Sequence, residues 1–250
     1  IMRSAYDLDC LIMQHAEDYE LSKNGMVNDG IIATKLGLQG ISDLAEKIII
    51  ERDLTLLEDF NCRYHISQIS SSKSVDIINQ KKNEVDFTTG VSINNLSLNE
   101  NDVGDFRTFL KLSPPLRTED DRVSLIKAIN KDLIDVIVSD HKPEDEESKR
   151  LTFSQAATGA SGIETLLPLS LELFHNGSVK LFKLIELLTT NPAKILKINK
   201  GNLSIGSDAD FCIVDIYKPW IVKKEKIVSK SKNTCIDDKK LQGQVTNTFI

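Results

Sequence analysis

Two imidazoles and a carboxylate are side chains that hold zinc while leaving a position open for water. His15, His65 and Asp140 are of those types, and each follows a short apolar or β-branched run: Cys10-Leu11-Ile12-Met13-Gln14-His15, Cys62-Arg63-Tyr64-His65 and Ile134-Asp135-Val136-Ile137-Val138-Ser139-Asp140. Zinc lowers the pKa of its water to about 7, and a neighbouring aspartate can shuttle the proton. The chemistry of the trio is therefore metal-assisted hydrolysis. Taken singly, each residue has a plain alternative. A lone histidine at a strand end is commonly packed or hydrogen-bonded, and an aspartate in Ser139-Asp140-His141 commonly caps a helix. Joint occurrence favours a site, because no helix or hairpin spans separations this long. A barrel-like return of successive strands would bring the three to one carboxyl-end face.

The elements that would position them are legible as alternation. Four β-type runs, Leu8 to Gln14, Cys62 to Ser67, Val85 to Val91 and Ile134 to Ser139, alternate with helical patterns, which predicts βα units and a parallel sheet. Ser42 is a candidate N-cap for a helix over Asp43 to Phe60, where Leu44, Ala45, Ile48, Ile49, Leu56 and Leu57 recur at helical spacing. Ser74 to Asn83 and Asp120 to Asn130 repeat the pattern. Gly162 to Leu196 reads as helical, with a break at Asn176-Gly177 and a new start at Thr190-Asn191-Pro192. Near residue 200 the character changes. A turn-rich segment over Gly201 to Asp210 leads into the β run Phe211 to Ile216 and opens a small β domain.

Composition bounds the function. A chain of 250 residues with 40% apolar content can bury a full-sized core. Its apolar stretches, such as Ile48-Ile49-Ile50, are far shorter than the ~20 residues of a membrane helix, and no basic, then apolar, leader opens it. A net charge of −6 disfavours nucleic acid, and the lysine-rich run from Lys223 to Lys240 reads as solvated surface. Cys10, Cys62, Cys212 and Cys235 are scattered and form no C-x-x-C pair, which fits reduced thiols in the cytoplasm. The chain opens on Ile1 and closes on Gln244 to Phe249, a strand still in progress, so both ends are expected to continue.

Seven motifs occur in one order: Gln14-His15-Ala16-Glu17-Asp18, Leu36-Gly37-Leu38-Gln39-Gly40-Ile41, Glu51-Arg52-Asp53, Leu112-Ser113-Pro114-Pro115-Leu116-Arg117, Ser139-Asp140-His141, Gly162-Ile163-Glu164-Thr165 and Gly206-Ser207-Asp208-Ala209-Asp210. Together they resemble the long bacterial dihydroorotases of the amidohydrolase superfamily, over essentially the whole chain. The resemblance implies the C-terminal half of a (β/α)8 TIM-type barrel over residues 1–199, and part of a flanking β-sandwich over residues 200–250. His15 would close the fifth barrel strand, His65 the sixth and Asp140 the eighth. It further implies that the histidines hold one of two zinc ions, and that Asp140 binds the other and serves as general base. Ser113, Thr158 and Gly159 match substrate-contacting positions. Structural alternatives stay open for them: Ser113 could shape the turn before Pro114-Pro115, and Gly159 could allow a tight backbone.

The implied reaction is interconversion of dihydroorotate and N-carbamoyl-L-aspartate in pyrimidine biosynthesis. The resemblance leaves room for a homodimer and for aspartate carbamoyltransferase as a protein partner. Two features depart from the family pattern. An H-x-H motif with a nearby arginine, and a bridging carboxylate or carboxylated lysine, have no counterpart, which predicts that the 250 residues alone are inactive. Where a histidine often helps hold the substrate carboxylate, this chain has Glu144, followed by Asp145, Glu146 and Glu147; a carboxylate there would repel the substrate. Three functions are compatible: an active dihydroorotase, a silent homologue that partners aspartate carbamoyltransferase, or another cyclic amidohydrolase such as a hydantoinase or allantoinase.

Overall fold

Four parallel strands form the centre of the computed structural model, which describes residues 1–250. These are β1 (Ile12–Gln14), β2 (Tyr64–Ile69), β3 (Thr88–Ser92) and β4 (Val136–Val138), hydrogen-bonded in chain order. Parallel neighbours require crossover connections, and a long helix occupies each one: α1 (Leu44–Phe60), α2 (Ser72–Lys81) and α3 (Glu119–Asn130). The chain continues through α4 (Leu166–His175), α5 (Leu181–Leu188) and α6 (Thr190–Ile195) to an antiparallel pair, β5 (Phe211–Ile221) and β6 (Lys240–Phe249).

Local chemistry sets the helix limits. The Ser42 hydroxyl oxygen does accept from Leu44 N at 3.2 Å at the start of α1, although Asp43 is the capping position. Asn61 ends α1 in the left-handed region at φ 42, a conformation asparagine tolerates. Ser71 caps α2, accepting from Ser74 N at 3.2 Å, so the helix begins two residues before the expected Ser74. Thr118 and Asp121 cap α3 reciprocally, with Glu119, Asp120 and Asp121 at the positive end of the helix dipole. The predicted break at Asn176-Gly177 falls at the end of α4, where Gly177 adopts φ 74.

The helices cover the sheet and bury an apolar core that includes Leu54, Leu57, Ile66, Ile78, Val91, Leu125 and Ile129. Three of the strands are shorter than the runs that predicted them, β1 starting only at Ile12, while β2 keeps its length but lies two residues later than expected. Beyond residue 200 the chain forms a two-stranded ribbon. Its base is fixed to the body by buried Val222, Ile227, Ile236 and Leu241, while Ile213, Tyr217, Val245 and Phe249 are exposed. Gly243, at φ 106, lets β6 lie against Leu171 of α4, whose Cδ1 would be 2.3 Å from any added Cβ.

Candidate active site

The three strand-associated residues occupy different depths. Met13 pairs with His65, so His15, just past the end of β1, stands one pleat closer to the carboxyl ends. His65 is the second residue of β2 rather than a residue at its exit. The helix before it runs to Phe60 and ends on the left-handed Asn61, and the strand begins at Tyr64. Asp140 lies two residues beyond β4 and turns the chain there at φ 49.

Around His15 two side chains converge. Its Nε2 is 3.1 Å from Glu17 Oε2 and 3.1 Å from Ser113 Oγ, and the Ser113 hydroxyl donates to Glu17 Oε2 at 3.1 Å. The Ser113–Pro114 peptide is cis. Hydrogen bonding to Glu17 raises the His15 pKa above its ordinary value against the opposing effect of burial, with weaker upward pulls from Glu46 and Asp140. Reciprocally, the bond to His15 holds the Glu17 carboxyl down at about 2.

His65 is buried, and burial lowers its pKa. Its Nδ1 is 2.8 Å from Thr88 Oγ1, and that hydroxyl also donates to the Tyr64 carbonyl at 3.4 Å. A hydroxyl that donates to Tyr64 accepts from Nδ1–H, which leaves the lone pair on Nε2. Gly90 faces that nitrogen: an added Cβ would lie 3.2 Å from Nε2 and 2.3 Å from Ser67 O.

Both oxygens of Asp140 are engaged, one from β2 and one from β3. Gln68 Nε2 donates to Oδ1 at 3.0 Å and Ser92 Oγ to Oδ2 at 3.4 Å. Asp140 caps no helix; the following helix, Glu146–Arg150, is capped by Asp145. Next along the chain, Lys142 N donates to Ala160 O at 2.8 Å, which brings Gly159 against Lys142. Gly159 has φ 137, and a Cβ there would meet Lys142 O at 2.7 Å, so tight backbone approach alone requires a glycine. Thr158 is half-buried beside it. Glu144 is tied to the C-terminal segment: its N–H donates to Asn233 Oδ1 at 3.4 Å and its carbonyl accepts from Ser231 Oγ.

A buried network fixes the loops around these residues. Arg117 donates to Asn28 Oδ1 at 2.9 Å, Ile41 O at 2.6 Å and Ser70 Oγ at 3.0 Å. The carboxylate of Glu46 accepts from the amides and hydroxyls of Ser70 and Ser71. The segments after β1, β2 and β3 are thereby joined beneath Ser113, and no exposed charge is involved.

The site thus unites His15 with Ser113 and Glu17, and Asp140 with the ends of β2 and β3. It does not bring His15, His65 and Asp140 into direct contact, and no three His, Cys, Asp or Glu side chains converge as an ion would require. The donor types suit zinc, and the space kept by Gly90 beside His65 Nε2 suits a ligating imidazole. Sequence reasoning missed Gln68, Thr88, Gly90 and Ser92 as site residues. Period-two alternation along β3, which puts Thr88, Gly90 and Ser92 on one face, carried that signal.

A parallel α/β sheet carries His65 within one strand and His15 and Asp140 just past the ends of two others, and the chain belongs to the amidohydrolase family, whose pattern it matches over residues 1–250. Relatives named dihydroorotase are similar to it. The protein from Ehrlichia canis (strain Jake) is 42% identical over 245 residues, covering 97% of this chain and 55% of the relative. That from Anaplasma phagocytophilum (strain HZ) is 40% identical over 248 residues, covering 98% and 56%. The chain thus spans about half the length of the curated relatives it matches. Among solved structures, L-hydantoinase (dihydropyrimidinase) from Arthrobacter aurescens superposes with a TM-score of 0.86 at 26% identity, covering 100% of this chain and 57% of that one. Dihydropyrimidinase from Brevibacillus agri NCHU1002 shares the fold, with a TM-score of 0.88 at 19% identity, covering 99% and 57%.

Proposed function

We propose that these residues form part of a zinc-dependent dihydroorotase that interconverts dihydroorotate and N-carbamoyl-L-aspartate in pyrimidine biosynthesis. The observation that carries the reading is the pairing of His15 with Ser113, a metal-ligand type held 3.1 Å from a residue matched to a ring-contacting position. His15 and His65 would hold zinc, with Asp140 and donors outside these 250 residues completing the centre. Bound zinc supplies carbonyl polarisation and an acidified water. Asp140, oriented by Gln68 and Ser92, takes up the proton of the attacking water and returns it to the leaving amide nitrogen. Thr158 and Gly159 contact the substrate from the opposite loop. Residues 1–199 belong to the barrel and residues 200–250 to a sandwich shared with other segments.

On this proposal the donors that complete the centre lie outside these 250 residues, which alone are expected to be inactive. A homodimer, aspartate carbamoyltransferase as partner and a cytoplasmic site of action belong to the same proposal; no helix here is long and apolar enough to cross a membrane. A hydantoinase-type activity is the second reading, favoured by the 26% identity and close superposition with the Arthrobacter aurescens enzyme. Zinc-loaded full-length protein, assayed with dihydroorotate, hydantoin and allantoin, separates the two. We expect kcat/KM to favour dihydroorotate by at least about a hundredfold, since a site that pairs a substrate's polar groups can reject an analogue lacking them by about 10⁴-fold. A preference for hydantoin would overturn the assignment, and turnover of none of the three would favour the silent homologue.

A further inference from the structure

Two lysines lie where lysine is rarely found. Lys149 is 1% exposed and Lys111 8% exposed, and neither meets a carboxylate. Taking an ammonium out of water without a counter-ion is costly unless strong hydrogen bonds replace its hydration. Here backbone carbonyls do so. Lys111 Nζ donates to Phe153 O at 2.9 Å, Ser154 O at 3.0 Å and Ala156 O at 2.8 Å. Lys149 Nζ donates to Ala157 O at 2.8 Å and Gly159 O at 3.0 Å.

Those carbonyls have no other main-chain use. The segment from Leu151 to Gly159 forms no helix or strand, and no backbone N–H reaches the oxygens of Phe153, Ser154, Ala156, Ala157 or Gly159. Apart from Asn233 Nδ2, which also donates to Gly159 O at 3.1 Å, the two ammonium groups are what satisfy them. Lys111 further joins this segment to Ser113, since its own carbonyl accepts from Gly159 N at 2.9 Å and it lies in the same loop as Ser113. The ammonium groups serve the Phe153–Gly159 segment as a core serves a helix.

From this we infer that Lys111 and Lys149 are positioning residues for substrate: they gather the carbonyls of Phe153 to Gly159 and thereby set Thr158 and Gly159 relative to Ser113. The inference rests on the reading of Ser113, Thr158 and Gly159 as substrate contacts. Neither lysine touches the reacting atoms, so losing one should weaken binding and spare the chemical step.

The test uses zinc-loaded full-length protein carrying Lys111→Met, Lys149→Met, the milder Lys149→Gln, or Thr158→Ala. Two quantities are read: amide hydrogen exchange across residues 151–161, and KM and kcat for dihydroorotate. Both Met variants should speed exchange in that segment by about tenfold and raise KM by about tenfold, with kcat within about threefold of the parent, the signature of lost binding without lost chemistry. Lys149→Gln keeps an amide donor and should give a smaller change in the same direction; it also provides the comparison if a Met variant does not fold. Unchanged exchange in the lysine variants, with KM raised by Thr158→Ala, would overturn the positioning role and leave the substrate reading standing. Faster exchange with unchanged KM, in those variants and in Thr158→Ala alike, would overturn the substrate reading and the inference with it.

Discussion

His15 and His65 belong to neighbouring strands and differ by one pleat in register, yet their surroundings differ in every respect that governs a metal ligand. His65 lies inside β2, between β1 and β3, and has a lowered pKa with a tautomer set by Thr88. His15 lies past the end of β1, the edge strand, and has a raised pKa and a carboxylate on its nitrogen. Depth in the sheet therefore sets the direction of each shift: burial disfavours the proton on the covered imidazole, and Glu17 favours it on the uncovered one. A metal ion competes with a proton more at His15 than at His65.

Asp140 allows the sharpest test of that asymmetry, because its charge acts on His15 and is absent from the influences on His65. In the full-length protein, Asp140→Asn should lower turnover of dihydroorotate by about 10³-fold, the scale of a lost general base. In metal-free protein the same substitution should lower the His15 pKa and leave that of His65 in place, as read from imidazole C–H resonances across pH. Equal shifts at both histidines would break the contrast. Normal turnover would remove Asp140 as the base.

Next in size is the steric boundary of the buried side. Gly90→Ala would set a methyl 2.3 Å from Ser67 O, a main-chain atom that cannot retreat without disturbing the pairing of β2 and β3, and 3.2 Å from His65 Nε2. Overpacking of this kind costs about 3 kcal/mol. Gly177→Ala is the control: its φ of +74 is strained for alanine but nothing lies within 4 Å, so about 1 kcal/mol is expected. Urea unfolding midpoints measure both. A cost at Gly90 no larger than at Gly177 would mean that the space beside His65 is not tightly bounded.

The contrast between the histidines also separates what the sequence disclosed from what it hid. Strand, helix and strand in alternation were legible because the apolar period changes from two to about 3.6 along the chain. Chemically distinctive residues such as His15 and Asp140 were legible as types. Depth was not, since Cys62-Arg63-Tyr64-His65 reads as a run leading up to His65, whereas the strand begins only at Tyr64 and continues four residues past His65. Partnerships across the sheet were hidden for the same reason: Gln68 and Ser92 reach Asp140 only once register and bulge are fixed. Lys111 and Lys149 were the least legible, because a lysine that caps main-chain carbonyls looks in sequence like any surface lysine.

The smallest effect belongs to the exposed side and carries its own sign. His15 has a folded pKa above its ordinary 6.5, so the stabilisation from its charge is present below 6.5 and is lost as pH rises through the raised value. Glu17 is held at about 2 against an ordinary 4.5, so its contribution is present above 4.5 and is lost as pH falls toward 2. The pair therefore stabilises the fold most between 4.5 and 6.5. The His15 side chain is 43% exposed, which screens the pair and limits its worth to under about 1 kcal/mol. Glu17→Gln should lower the urea midpoint at pH ~5.5 and do so less at pH ~9, since the charge on His15 is lost as pH rises. The His15 resonances should titrate at lower pH in this variant while those of His65 stay put. A loss of the same size at both pH values would show that Glu17 acts through its hydrogen bond to Ser113, which survives at high pH, and not through the charge on His15.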